Sequence, residues 1–90
     1  MGVINNALSL SLGEPQIRAG VYPNPCTDRL FVASAGGCRI VIYNIYGQKY
    51  DELTTADDTV SFDLSTYPRG MYLVEISDGM ARKTIKVIKQ

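Results

Sequence analysis

The chain of 90 residues contains no histidine, which removes the usual general base and the commonest metal ligand together. Serines, lysines and carboxylates remain, but there is no Gly-x-Ser-x-Gly elbow, no phosphate-cradling glycine loop and no zinc-type cysteine spacing. Too many catalytic roles lack a candidate for an enzyme to be built here, and nothing in the sequence calls for a cofactor or a metal. No apolar run approaches the ~20 residues of a membrane-spanning helix, and residues 1–13 lack the basic flank and apolar centre of a signal peptide. An extracellular destination therefore requires an export signal further upstream, with Met1-Gly2 an artificial start. The two cysteines, Cys26 and Cys38, permit one disulfide at most and define no disulfide-built scaffold. Nine Lys plus Arg balance nine Asp plus Glu, so no whole-molecule field draws the chain to nucleic acid or to an anionic membrane.

What is present points to β structure. Ninety residues fit one domain, which buries about two-thirds of its unfolded surface. Gly, Pro, Asn and Asp punctuate the chain, and the intervening segments are rich in Val, Ile, Tyr and Thr without helical periodicity. Strands are expected over residues 16–22, 30–34, 39–45, 48–53, 59–64, 71–77 and 80–88. Seven short strands suit an all-β sandwich of two packed antiparallel sheets. Residues 16–90 form that domain. Residues 1–15, where Leu8, Leu10 and Leu12 alternate with polar residues before Glu14-Pro15, read as a linker or an edge strand.

Local patterns sharpen this. Strand 39–45 is apolar on both faces, with Ile40 and Ile42 on one and Val41 and Tyr43 on the other, as a mid-sheet strand should be. Asn44 to Gly47 then turns the chain, Gly47 supplying a positive φ. Asp78-Gly79 reads as a two-residue hairpin turn that sets Ile76 against Ala81, Val74 against Lys83 and Tyr72 against Ile85, with Glu75 opposite Arg82 on the other face. Lys83 is then the one polar residue on an apolar face, where its ammonium has to reach past the sheet edge. Residues 64–70 cross between sheets, with the Tyr67 ring packed under the corner and its hydroxyl on a backbone partner.

Charge is unevenly placed: Asp51, Glu52, Asp57, Asp58 and Asp63 fall within thirteen residues, while Arg82, Lys83, Lys86 and Lys89 fall in the last nine. Residues 51–58 are expected to form a solvated hairpin loop, a reading preferred to a calcium site because the spacing matches no EF-hand. If strands 30–34 and 39–45 pair directly through Gly36-Gly37, Cys26 lies too far from Cys38 to bridge it, and free thiols follow; strands in different sheets would leave a disulfide open. Of the six tyrosines, Tyr22, Tyr43, Tyr67 and Tyr72 are assigned to core or half-buried strand positions. Tyr46 and Tyr50 are the best exposed candidates for a stacking platform.

Five blocks recur in a familiar order: Val21-Tyr22-Pro23-Asn24-Pro25, Val41-Ile42-Tyr43-Asn44-Ile45-Tyr46-Gly47-Gln48, Phe62-Asp63-Leu64-Ser65, Arg69-Gly70-Met71-Tyr72-Leu73-Val74 and Lys83-Thr84-Ile85-Lys86-Val87. Their order and spacing resemble the C-terminal sorting domain of type IX secretion cargo proteins from Bacteroidetes. The resemblance implies an immunoglobulin-like antiparallel β-sandwich that serves as a non-enzymatic address, attached to an upstream cargo on the same chain. The type IX machinery recognises it in the periplasm and guides the cargo through the outer-membrane translocon to the cell surface. It further implies that a surface sortase removes the domain, here by a cut in or before residues 1–20, and joins the cargo to an anionic lipopolysaccharide. The family's critical elements map onto Pro23, Asn24, Pro25, Gly47, Gly70, Tyr72, Lys83, Ile85, Lys86 and Val87. Cys26 and Cys38 are outside the pattern.

Each block also has a structural reading. The prolines end the first strand, the glycines serve turns and close crossings, and the last strand would exist in any sandwich. The resemblance and the basic cluster make the outward face of residues 80–90, with Arg82, Lys86 and Lys89, the expected surface for the secretion machinery. The rival reading is an immunoglobulin-like carbohydrate-binding or adhesion module of a secreted enzyme that uses Tyr46, Tyr50 and the acidic loop.

Overall fold

A computed structural model describes residues 17–90, so the expectation for residues 1–15 lies outside the described residues. Seven strands form: β1 (Gly20–Tyr22), β2 (Arg29–Ala33), β3 (Cys38–Asn44), β4 (Lys49–Thr55), β5 (Val60–Asp63), β6 (Gly70–Ser77) and β7 (Arg82–Lys89). They make two antiparallel sheets, one ordered β1-β2-β5 and the other β4-β3-β6-β7. No helix among the described residues is long and apolar enough to cross a membrane.

Alternation sets the core. Leu30 and Val32 on β2, Ile40 and Ile42 on β3, Tyr72, Val74 and Ile76 on β6 and Val87 on β7 all point between the sheets and are buried there with Phe62 and Leu64. The central place of β3, between β4 and β6, matches its apolar character on both faces, and Val41 on the outer side is also buried.

The β6–β7 hairpin differs from expectation by two residues. Ser77 faces Arg82, Ile76 faces Lys83, Val74 faces Ile85 and Tyr72 faces Val87. The loop therefore holds Asp78, Gly79, Met80 and Ala81, because the Asp78 Oδ1 accepts the N–H groups of both Met80 and Ala81 at 2.9 Å. A two-residue type I′ turn would need a positive φ at both central residues, and among the described residues Ser34 is the only non-glycine residue with one. A slip of two leaves each residue of the expected pairs on its face while changing each opposing pair. Glu75 thus meets Arg82 on the diagonal, at 3.3 Å, rather than directly.

Two connections are also corrected. β2 and β3 do not pair through Gly36-Gly37; they lie in different sheets, and residues 34–37 cross between them with Ala35 buried. Cys26 and Cys38 are nonetheless both free and buried. Arg39 is level with Ser77 and Ser77 with Arg82, while Cys26 is level with Lys89. The two thiols therefore occupy opposite ends of the sandwich, about 23 Å apart by strand rise from 82 to 89. Residues 51–58 are not one loop either. β4 carries Asp51 and Glu52 and runs to Thr55, leaving Asp57 and Asp58 on the crossing to the other sheet. Pairing against central β3 extends the strand further than its charged sequence suggests, and those charges suit an exposed sheet edge.

Residues 64–70 cross between sheets as expected, but the tyrosine that ties the corner is Tyr72. Its hydroxyl donates to the Pro68 carbonyl at 2.6 Å, in the manner of the tyrosine corner of immunoglobulin-like sandwiches. The Tyr67 hydroxyl is buried with no hydrogen-bond partner, and burial, with Asp51 next in weight, pushes its pKa up to about 12. Tyr50 joins this pair, its ring centroid 4.9 Å from that of Tyr67 and 5.4 Å from that of Tyr72. A bulge brings it there. The register passes from Ile42 opposite Asp51 to Tyr43 opposite Lys49, and the unpaired Tyr50 turns in toward the core rim.

Replacing Tyr72 with Phe should destabilise the domain by about 0.5–1.5 kcal/mol in urea unfolding, whereas Tyr67→Phe, which removes an unpartnered hydroxyl, should be neutral or mildly stabilising. Three exposed carboxylates are held below their usual range. Glu52 is held down by Lys49 and Arg39, Asp63 by hydrogen bonds from Ser65, and Asp78 by the Met80 and Ala81 amides. Such groups favour the folded chain while ionised and lose that advantage on protonation. With no histidine to titrate, the thermal midpoint should stay level between about pH 5 and 7 and fall below about pH 4.

Candidate functional site

The blocks containing Pro23-Asn24-Pro25 and Lys83 to Val87 are far apart in sequence and in contact in the fold. Pro23 and Pro25 have no N–H to give a sheet ladder, so β1 ends at Tyr22 and the chain leaves its sheet; both X-Pro bonds here are cis. Asn24, between the prolines, supplies with its side chain what the backbone cannot. Its Nδ2 donates to the Lys86 carbonyl at 2.8 Å and its Oδ1 accepts the Ile88 N–H at 3.1 Å. Cys26 then takes over with its backbone, donating to the Ile88 carbonyl at 2.9 Å and accepting from the Gln90 N–H at 2.8 Å. The result is a short parallel bridge between Cys26 and Lys89. Residues 19–26 thus form a strap that starts in one sheet and finishes on the edge strand of the other.

Lys83 fastens the opposite end of the strap. It lies on the inward side of β7 across from Ile76, and its Nζ donates to the Ala19 carbonyl at 2.9 Å. This accounts for Lys83 on the apolar face, since the ammonium reaches across to the other sheet rather than into the core. Lys89 also belongs to the inward side and is only 8 % exposed, which corrects its expected place on the outward face. The register that puts Arg82 and Lys86 outward puts Lys83, Ile85, Val87 and Lys89 inward. Beside Lys89, the Cys26 thiol is pushed up by its burial, with the lysine charge opposing.

The remaining residues carried over from the resemblance divide by burial. Val87 and Tyr72 are buried, and Ile85 is packed against the core. Gly47 and Gly70 adopt positive φ angles of 84° and 145°, where a side chain would be strained. Arg82 and Lys86 are exposed on the outer face of the four-stranded sheet. On that face Arg39 and Lys49 both bind Glu52, at 2.6 and 2.7 Å, and Arg82 meets Glu75. Lys86 has no ion-pair partner among the described residues. These exposed pairs hold side-chain geometry more than they stabilise the fold.

No group of three or more His, Cys, Asp or Glu side chains among the described residues is placed to hold a metal. Among the surface grooves of the described residues, one, of about 400 Å³, lies beside the β6–β7 loop and is lined by Arg39, Glu75, Ser77, Met80 and Arg82. A second, of about 190 Å³, lies between the β3–β4 turn and the start of β6. Sequence reasoning missed the second groove and the clamp by Asn24. A polar residue held between two prolines was the available signal for the clamp.

If the Asn24 amide closes the β7 edge, Asn24→Ala should cost about 1–2 kcal/mol in urea unfolding and lower the hydrogen-exchange protection of the Ile88 amide. Asn24→Asp, which keeps the acceptor but loses the donor to Lys86, should be no better than alanine.

The family profile described as "Secretion system C-terminal sorting domain" matches residues 20–90. No curated protein matches the chain. Among solved structures the chain resembles PorZ of Porphyromonas gingivalis, described as an essential bacterial surface component of the type IX secretion system. The identity is 21%, the TM-score 0.72, and the match covers 81% of this chain. It spans 11% of the length of that protein, and the likeness shows a shared fold. The profile covers the whole sandwich from β1 to β7, all five sequence blocks with it, and on that match the chain belongs to the family of type IX secretion C-terminal sorting domains.

Proposed function

We propose that this sorting domain presents the outer face of β7 to the secretion machinery, with Arg82 and Lys86 as its cationic contacts, and that the strap keeps that face in place. As a member of its family, the domain is a sorting signal that sends an attached protein to the cell surface or out of the cell by type IX secretion. The observation that carries the proposal is the convergence of the Pro23-Asn24-Pro25 block on the last strand, where Asn24 binds the Lys86 carbonyl and the Ile88 N–H. A receptor reading Lys86 and Ile88 from outside would read a strand whose position is fixed from its edge.

The role is non-catalytic. The cargo lies upstream on the same chain and the domain is recognised in the periplasm. A surface sortase cuts in or before residues 1–20, upstream of Tyr22-Pro23-Asn24-Pro25. Pro23, Asn24, Pro25, Lys83 and Lys89 serve recognition indirectly, by holding β7. Gly47, Gly70, Tyr72, Ile85 and Val87 serve it by shaping the sheet on which β7 lies. A carbohydrate-binding role through Tyr46, Tyr50 and an acidic loop has less support, since Tyr50 is packed with Tyr67 and Tyr72, and Asp51 and Glu52 are strand residues.

A periplasmic reporter fused ahead of residue 1 and expressed in a type IX host tests this. The wild-type fusion should reach the surface, and deletion of residues 70–90 should abolish delivery. Arg82→Gln with Lys86→Gln, which alters only exposed side chains, should lower delivery severalfold at an unchanged thermal midpoint. Full delivery by the folded double variant would remove the outer face of β7 from recognition.

A further inference from the structure

The turn between β3 and β4 is held by residues other than those it displays. The Asn44 Oδ1 accepts the N–H groups of Tyr46 and Gln48, both at 2.9 Å, and its Nδ2 donates to the Gln48 Oε1 at 2.6 Å. The Asn44 N–H donates to the Gln48 carbonyl, and Gly47, at positive φ, donates to the Asn44 carbonyl. Nothing in this network uses the side chains of Ile45 or Tyr46, which are 56% and 82% exposed. Polar residues would serve the turn equally well, so its shape does not explain why both are large and apolar.

Across from the turn lies the start of β6, and between them is the groove of about 190 Å³. Eight large apolar side chains of the described residues are exposed, and four of them, Ile45, Tyr46, Tyr50 and Met71, line this groove. A fifth, Ile88, faces Met71 in register. The groove is smaller than the ≈ 300–1,000 Å³ of small-molecule sites and has the size of one large side chain. Its lining includes Arg69 and no Asp or Glu, and Arg69 has no ion-pair partner among the described residues. Aromatic walls, of which Tyr50 and Tyr72 are held by packing with Tyr67, beside an arginine with no ion-pair partner among the described residues have the composition of an interface hot spot, and a preformed turn lowers the entropy lost on docking.

We propose that this groove is a docking site for a partner protein that inserts one apolar side chain flanked by a carboxylate, the side chain lying between Tyr46 and Met71 and the carboxylate meeting Arg69. The surface is separate from the basic contacts Arg82 and Lys86, and it would exist whether or not β7 is read by the secretion machinery. Preorganisation by Asn44 and Gly47 makes it available in the free domain.

The test is a titration of the 15N-labelled chain with the acetylated, amidated peptide Gly-Gly-Glu-Leu-Glu-Gly-Gly, followed by amide chemical shifts. Shifts should be confined to residues 44–47 and 68–72, with a Kd of about 1 mM as expected for one anchor and one ion pair. Arg69→Gln should weaken binding about fivefold or more. Ile45→Ser with Tyr46→Ser should abolish it at an unchanged thermal midpoint. Counterpart peptides with Gln for Glu, or Ala for Leu, should bind at least about fivefold more weakly. No localised shifts at about 5 mM peptide, or equal shifts with the counterpart peptides, would overturn the proposal. Self-association of the free chain that Tyr46→Ser removes would also overturn it, because the occupant would then be a second copy.

Discussion

The pairing of residues 24–26 with the edge of β7 is the constraint on which the sandwich depends. The two sheets share a core, but between the described segments the strap is what carries hydrogen bonds from the strand that opens one sheet to the strand that closes the other. It does so where prolines have removed the ordinary donors. A side-chain amide has one donor and one acceptor in nearly the geometry of a peptide group, and Asn24 spends them on Lys86 and Ile88. An edge strand that would otherwise expose its ladder is covered there, and farther up the strand the inward Lys83 guards it.

This arrangement separates the two sides of β7 by task. Lys83, Ile85, Val87 and Lys89 face the other sheet, and their charges lie at the ends of the strand, where ammonium groups reach a carbonyl or the rim. Arg82, Thr84, Lys86 and Ile88 face outward. A basic cluster that appears uniform in sequence is thus half structural. Charge counting alone cannot tell the halves apart, because the pleat assigns alternate residues to opposite environments.

Much of the fold was legible in the sequence. All seven strands, the mid-sheet place of β3, the sheet crossing after β5 and the faces of the paired residues in the last hairpin follow from alternation and turn residues. The expected outward place of Lys89 runs against that alternation; the other errors share one origin, which is chemistry that acts beyond the local pattern. Asp78 was read by its place before a glycine, but its carboxylate binds two amides and widens the loop. Tyr67 and Tyr72 are equally placed to tie the corner by sequence, and packing chose Tyr72. The bulge that turns Tyr50 inward leaves no mark on periodicity. The sheet assignment of β2 and β3 depends on long-range pairing that a short glycine link does not reveal. For the site, the blocks were visible and their contact was not. Asn24 gives no hint in sequence that its partners lie 62 and 64 residues on.

The parallel sense of the strap has a mechanical consequence. The chain enters the sandwich at Ala19, beside Lys83, and the last strand ends beside Cys26, so tension between the upstream chain and the end of β7 would act along the strap. Hydrogen bonds lying across that direction are loaded together in shear, not opened one after another as a hairpin is unzipped. Resistance to pulling would therefore concentrate in a few bonds around Asn24 and Cys26, and forced unfolding, a property of rates and not of equilibrium stability, would be set by a few bonds at one sheet edge and not by the core as a whole.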